Sequence, residues 1–174
     1  MNVNNSHLMH YPLFRTDDVN LPNHWQTADD RVMGGVSVAQ MGPPDQADIL
    51  GVCLRGQVSL ENRGGFIQIK WPVTRSDLNE IAKHTGIYVR AWGNGESYNI
   101  HLRTRSLWLP WQSYRQTFVA SQQPQYHYFS FDEFAPYKTS LQFRPQALKK
   151  IAIVAIGRAF SANVCVGEMG FYAQ

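Results

Sequence analysis

The stretch GIYVRAWGNGESYNIHLRT, residues 86 to 104, decides the fold class, because two runs of alternating apolar and polar residues flank a Gly-Asn-Gly sequence. Alternation with a period of two is typical of a β-strand that buries one face. Glycine and asparagine supply the positive φ angles that a tight reversal requires. The stretch therefore predicts a β-hairpin whose apolar residues share the core side: Ile87, Val89, Ala91, Ile100 and Leu102.

The other side of this hairpin predicts a binding face. With Trp92 opposite Asn99, four further aromatic or polar residues fall on the same side, away from the core. Aromatic rings, guanidinium groups and amides suit a surface that binds a ligand or a protein. The candidate binding residues are Tyr88, Arg90, Trp92, Asn99, His101 and Arg103.

Similar alternation recurs along the chain, at the spacing of an all-β sandwich of about nine or ten strands. The segment from Ser76 to His84 predicts one short helix, capped by Ser76. We expect a flexible N-terminus over residues 1–12 and a single β-sandwich domain over residues 13–174.

Composition and charge exclude several classes of protein. A content of 44% hydrophobic and 13% aromatic residues is incompatible with a disordered chain. No apolar run approaches the roughly 20 residues that cross a bilayer, so we expect no membrane insertion. The 16 Lys and Arg residues form no basic cluster in the sequence, which argues against a nucleic-acid partner. The residues before Arg15 lack the features of a secretory signal, and we expect a cytoplasmic protein.

Metal and disulfide chemistry have weak support. Cys53 and Cys165 lie in apolar segments, which favours two small buried residues over a disulfide or a reactive thiol. The six histidines show no paired spacing that would complete a zinc site. Asp29 and Asp30 precede Arg31, a pattern that favours a loop-fixing ion pair, with a structural calcium site as the alternative.

No catalytic motif is present. The sequence contains no GxxxxGK[ST], GxSxG or HExxH pattern. An enzyme would have to use a carboxylate such as Asp30 or Glu61 together with His101, and nothing in the sequence places these groups together. We therefore expect neither catalysis nor a cofactor.

Three loops carry glycine or tryptophan at conspicuous positions. RVMGGVSVA (Arg31 to Ala39) and LENRGGF (Leu60 to Phe66) read as turns that deliver the chain into strands. SLWLPWQSY (Ser106 to Tyr114) contains Trp108, Pro110 and Trp111, which we interpret as a hydrophobic lid over one end of the sandwich, with binding as the alternative.

An ordered set of motifs resembles the complex I intermediate-associated protein 30 family. The resemblance extends from about Trp25 to Phe171 and rests on DDRVMGGVS (29–37), RGQVSLENRGGFIQI (55–69), the stretch 86–104, SYRQTF (113–118), FSFDEFAP (129–136) and IAIVAIG (151–157). It implies a galactose-binding-domain-like jelly roll without known catalytic activity. It also implies a structural role for the motif residues Asp30, Arg31, Gly34, Gly35, Ser37, Glu61, Asn62, Gly64 and Gly65.

Mitochondrial members of that family are assembly factors that hold membrane-arm intermediates of the respiratory NADH:ubiquinone oxidoreductase together. This sequence shows no transit peptide, so we expect a bacterial relative. The resemblance implies a protein-binding assembly or chaperone-like factor whose partners are respiratory-complex subunits. The alternative is a carbohydrate-binding module that uses the aromatic and arginine-rich face.

Overall fold

The structure is a computed structural model that describes residues 8–15, 17 and 24–174. Its strands, in chain order, are β1 (Met9–Pro12), β2 (Gln26–Asp29), β3 (Gln40–Gly42), β4 (Val52–Val58), β5 (Phe66–Pro72), β6 (Gly86–Gly93), β7 (Ser97–Thr104), β8 (Ser113–Val119), β9 (Gln125–Ser130), β10 (Ala135–Tyr137), β11 (Leu148–Ile156) and β12 (Phe160–Ala173). They form two antiparallel sheets of six strands. Sheet A has the order β3-β4-β12-β6-β9, with β1 also on β12, and sheet B has the order β10-β8-β7-β11-β5-β2.

The core lies between the inner faces of the two sheets. Period-two alternation turns Leu54, Val89 and Val164 of sheet A inward, and Ile100 and Ile153 of sheet B meet them from the other side. The predicted all-β sandwich is confirmed, and the predicted short helix is present among the described residues, at Arg75–Ile81.

The predicted hairpin between residues 86 and 104 is wrong. β6 pairs with β12 and β9 in sheet A, whereas β7 pairs with β11 and β8 in sheet B. Backbone N–H groups of the loop donate to other segments: that of Asn94 to Asn163 O at 3.1 Å, and that of Gly95 to Ala120 O at 2.7 Å. The loop is therefore an arch between the two sheets. Both geometries turn the same alternate residues inward, so alternation cannot distinguish an arch from a hairpin.

The longest strand, β12, joins most of sheet A. Its first half pairs with β4, its second half pairs with β1, and β6 lies along its other edge. A bulge between Val166 and Glu168 shifts the register, so that Cys165 and Glu168 both point to the outer face. Met9–Pro12, expected to be flexible, instead form β1 in this sheet, and residues 1–7 lie outside the described part of the chain.

The helix α1 spans Arg75–Ile81, slightly earlier than predicted, and its cap is Thr74, not Ser76. The Thr74 hydroxyl accepts from the Asp77 N–H at 3.2 Å, and the Asp77 carboxylate accepts from the Thr74 N–H at 2.9 Å. This reciprocal pair satisfies N–H groups that a first turn otherwise leaves without partners. The sequence signal for this cap is a threonine followed three residues later by an aspartate, Thr74 and Asp77.

Cys53 and Cys165 form a disulfide, which overturns the prediction of two unlinked buried cysteines. The two residues lie directly opposite each other on β4 and β12, with a Cα–Cα distance of 3.9 Å. They pack with Trp92 and Ile49 on the outer face of sheet A. Sequence could not show this pairing, because 112 residues separate the two cysteines and only the strand register brings them together.

The fully buried carboxylate of Asp30 joins the two glycine-containing turns. It accepts from the backbone N–H of Ser37 at 2.9 Å and of Gly65 at 2.6 Å, and from the Ser37 hydroxyl. A fourth donor, the N–H of Phe66, lies 3.3 Å away. Asp30 therefore fixes the start of β5 against the turn that follows β2.

Two motif glycines leave room for this carboxylate. A Cβ atom on Gly35 would overlap Oδ1 of Asp30, and one on Gly64 would overlap Oδ2. Gly34 has a φ of 87°, a conformation that glycine adopts without steric cost. The double-glycine patterns therefore follow from the close approach of one buried side chain and from one left-handed turn.

Replacing Asp30 with asparagine should lower the free energy of unfolding by about 2–4 kcal/mol, because an amide NH₂ would face buried backbone donors and leave them unpaired. Urea denaturation of Asp30→Asn and of the exposed control Asp132→Asn measures the difference. Equal midpoints for the two variants would show that the network does not stabilise the fold.

The disulfide should stabilise the protein by about 3–5 kcal/mol, since it closes a long loop in the unfolded chain. We expect the Cys53→Ala/Cys165→Ala double variant to unfold at lower denaturant concentration than the oxidised protein. Addition of a reductant should lower the midpoint of the parent protein and leave that of the double variant unchanged. A parent protein insensitive to reductant would contradict this expectation.

Candidate functional site

The six predicted binding residues do not share one face. Tyr88, Arg90 and Trp92 lie on the outer face of sheet A, and the three residues of β7 lie on the outer face of sheet B, on the opposite side of the sandwich. Tyr88, Trp92 and His101 are buried, so their rings offer little surface to a ligand. The sequence predicted one binding face, but the structure has two separate surfaces of different chemistry.

The first surface, which we call the tyrosine face, comprises His10, Tyr88, Tyr126, Tyr128 and Glu168. The Glu168 carboxylate accepts from the Tyr88 hydroxyl at 2.6 Å and from the Tyr126 hydroxyl at 3.1 Å. Burial and the neighbouring Glu168 carboxylate raise the pKa of Tyr88 and of Tyr126 above the ordinary value. Both hydroxyls therefore stay protonated and act as donors.

His10 of β1 covers the centre of the tyrosine face. Its ring stacks on Tyr88 at a centroid distance of 3.9 Å, and its Nε2 lies 3.0 Å from the Tyr128 hydroxyl. Tyr126 remains 42% exposed. An open cleft of about 420 Å³ adjoins the face and is lined by Pro12, Phe14, Arg15, Asp17 and Glu168. The cleft offers a carboxylate oxygen, a guanidinium group and an accessible aromatic ring nearby.

Trp92 has a structural role. Its ring packs against the Cys53–Cys165 disulfide, and the Arg90 guanidinium lies 5.8 Å from the ring centroid. The sequence analysis missed Glu168, Tyr126 and His10, because they come from three strands that only the register of sheet A brings beside β6.

The second surface, which we call the basic face, comprises Lys70, Arg103, Arg115 and Lys150 around Ala152 and His101. Lys70 and His101 both lie opposite Ala152, Arg115 lies opposite His101, and Lys150 lies opposite Arg103. Burial and the positive charges of Lys150 and Arg103 lower the pKa of Lys70. The sequence suggested no basic cluster because these residues come from four different strands that only the sheet brings together.

His101 lies beneath the basic face and is only 8% exposed. Its Nδ1 lies 3.3 Å from the Ser113 hydroxyl, and its Nε2 has no hydrogen-bond partner among the described residues. Burial, assisted by the charge of Arg115, lowers the pKa of His101 to about 4. The imidazole is therefore neutral at physiological pH.

Arg103 holds the loop that carries the exposed tryptophans. Its guanidinium donates to the carbonyl oxygens of Leu109 at 2.7 Å and Gln112 at 2.8 Å. We call Leu107–Gln112 the indole loop. Leu107 is buried, but Trp108 is 91% exposed and Trp111 is 46% exposed. The interpretation of these tryptophans as a lid is therefore wrong, because the side chain that faces inward is that of Leu107.

The motif carboxylates are engaged in loop structure. Asp29 pairs with Arg31, whose guanidinium nitrogens donate at 2.9 and 2.8 Å, and it also accepts from the Ala39 N–H. The Asp30 carboxylate accepts hydrogen bonds from backbone N–H groups. His101 instead contacts Ser113 and Tyr137, so the contacts of these two residues do not bring them together. No cluster of three or more His, Cys, Asp or Glu suited to a metal ion occurs within residues 8–15, 17 and 24–174.

The remaining motif residues shape the turn before β5. Glu61 and Asn62 form a short 3-10 turn with Arg63, and both are exposed. Asn62 has a φ of 54°, which asparagine tolerates better than most residues.

None of the helices in the described segments is long and apolar enough to span a membrane.

Comparison with known families gives one match that covers most of the chain. The model of the family described as complex I intermediate-associated protein 30 matches residues 13–163. No curated protein sequence matches the chain significantly.

Solved structures share the jelly-roll fold at low sequence identity. A family 11 carbohydrate-binding module from Clostridium thermocellum, in complex with a β-1,3-1,4-mixed-linked tetrasaccharide, is 9% identical, with a TM-score of 0.71 over 92% of this chain and 93% of that one. The family 11 module of a cellulosomal cellulase from the same organism is 10% identical, with a TM-score of 0.72 over 95% of each chain. A family 30 module of another of its cellulosomal cellulases is 12% identical, with a TM-score of 0.55 over 79% of this chain and 82% of that one. The predicted jelly-roll, galactose-binding-like fold is confirmed.

The buried neutral His101 predicts acid destabilisation. Between pH 6.5 and about 4 the unfolded chain binds a proton that the folded protein excludes, so stability should fall as the pH falls. We expect a loss of about 2 kcal/mol between pH 7.5 and pH 5 from this group. Urea denaturation at both pH values measures the loss, and an NMR titration that places the His101 pKa near 6.5 would contradict it.

Proposed function

Because the chain belongs to the complex I intermediate-associated protein 30 family, we propose that it is a non-catalytic binding module. In this proposal it acts as a protein-binding assembly or chaperone-like factor, and its partners are respiratory-complex subunits. The family match supports the choice of partner. The surface chemistry of the described residues supports the place of contact.

The exposed indole loop is the observation that carries this proposal. Trp108 presents almost its whole side chain to solvent, and Leu109 and Trp111 extend the apolar surface. Tryptophan is among the residues that dominate binding energy at protein interfaces. The carbonyl hydrogen bonds from Arg103 order the loop before a partner arrives, which lowers the entropic cost of association.

Removal of the two indoles should abolish partner binding without unfolding the protein. Tagged Trp108→Ser/Trp111→Ser protein is compared with the parent by pull-down from cells that contain complex I, with quantitative mass spectrometry. We expect the parent to enrich complex I subunits at least about tenfold over the variant. Tyr126→Ser, on the opposite sheet, is the matched control and should bind as the parent does.

Two results would count against this proposal. One is a parent protein that enriches no complex I subunits. The other is an equal loss of enrichment in Tyr126→Ser and in the tryptophan variant, since the indole loop would then have no special part in binding.

A second function, carbohydrate binding, is favoured by the tyrosine face. The accessible Tyr126 ring can stack on a sugar ring, and the Glu168 carboxylate can accept hydrogen bonds from sugar hydroxyls. The Arg15 guanidinium at the cleft rim adds donors. The tetrasaccharide named for the family 11 module supplies a probe for this surface.

Titration calorimetry with β-1,3-1,4-mixed-linked glucan tests this second function. We expect Tyr126→Ala and Glu168→Gln each to weaken binding by about tenfold, since each removes one stacking or charge-assisted contact. Trp108→Ser serves as the control and should leave the affinity unchanged. Absence of binding heat with the parent protein would refute carbohydrate binding for this glucan.

A further inference from the structure

Four cationic side chains crowd the basic face without a counter-charge among the described residues. Lys150 lies two residues before Ala152 on β11, and Lys70 and Arg103 lie beside them on the neighbouring strands β5 and β7. Arg115 lies one strand further, opposite His101. The ion pairs of the described chain involve other residues: Arg15, Arg31, Arg55, Lys83 and Arg158 with their carboxylates. The four cations of the basic face therefore repel one another.

The strand registers explain how the cluster arises. Lys150 and Ala152 are two residues apart in β11 and therefore share the outer face, and the antiparallel pairing of β11 with β7 sets Arg103 beside Lys150. The methyl group of Ala152 is much shorter than the surrounding side chains, so it forms the floor of the group. The long side chains of Lys70 and Lys150 can reach over it toward a common point.

His101 adds a neutral polar group, not a negative charge, to this row of the basic face. Its imidazole lies in the same row of the sheet as Lys70, Ala152 and Arg115, more than nine-tenths buried, and its Nε2 lacks a hydrogen-bond partner in the described part of the chain. A buried polar atom without a partner is costly. A negatively charged group bound above Ala152 would give this row the counter-charge that it lacks.

We propose that the basic face binds a phosphate-bearing ligand, with Lys70, Lys150 and Arg115 as its contacts. A single carboxylate carries too little charge and too few oxygens to engage cations from three different strands. A phosphate group carries up to two negative charges and three terminal oxygens, each of which can accept a charge-assisted hydrogen bond. Arg103 is committed to the indole loop and contributes its positive charge at longer range.

Titration calorimetry with inorganic pyrophosphate and orthophosphate, at ionic strength held constant with sodium chloride, tests the site directly. We expect saturable binding that is weakened by about tenfold or more in Lys70→Gln/Lys150→Gln, because two charge-assisted contacts are lost. Lys83→Gln/Arg158→Gln removes the same total charge from side chains that already pair with Glu80 and Glu96, and it should bind as the parent does.

A second arm distinguishes a soluble ligand from a lipid headgroup. The parent and both double variants are sedimented with phosphatidylcholine vesicles that contain or lack phosphatidic acid. Binding to phosphatidic acid vesicles that the Lys70/Lys150 variant loses assigns the phosphate to a lipid, and pyrophosphate binding without vesicle binding assigns it to a soluble molecule. No binding in either arm, or an equal loss in both double variants, would overturn the proposal.

Discussion

The buried carboxylate of Asp30 is the constraint on which the entry to sheet B depends. It binds the N–H groups of Ser37 and Gly65, which lie 7 and 35 residues further along the chain, and so it fixes the turn after β2 against the start of β5. An apolar side chain at this position would leave those N–H groups buried without acceptors. One glycine of each double-glycine pattern, Gly35 and Gly64, follows from this contact, because a Cβ atom at either position would overlap the carboxylate. The motif thus forms a structural joint between the two turns.

The sequence predicted the direction of side chains better than the partners of strands. Ile87, Val89, Ile100 and Leu102 are core residues as expected, because alternation determines which residues turn inward. Alternation does not show which strands are hydrogen-bonded to each other. The arch after Gly93 was therefore predicted to be a hairpin. The disulfide and the Glu168 cluster were missed for the same reason, since each depends on register between distant strands.

The outer faces of the two sheets differ in chemistry. The outer face of sheet A combines a carboxylate with tyrosine hydroxyls and a histidine ring, whereas that of sheet B presents lysine and arginine over a small apolar floor. Arg103 connects the second face to the indole loop, because the same side chain adds charge to the face and hydrogen-bonds the loop carbonyls. A jelly roll separates such surfaces by the thickness of its core, so the two outer faces remain chemically independent.

The central place of β12 also determines when the domain can assemble during translation. β1, β4 and β6 all leave the ribosome before β12, yet each needs β12 as its neighbour in sheet A. Until that strand is made, their backbone groups and apolar faces stay uncovered, and such edges pair readily with other chains. Long-range pairing of this kind folds slowly. The nascent chain should therefore remain prone to aggregation until β12 has been synthesised.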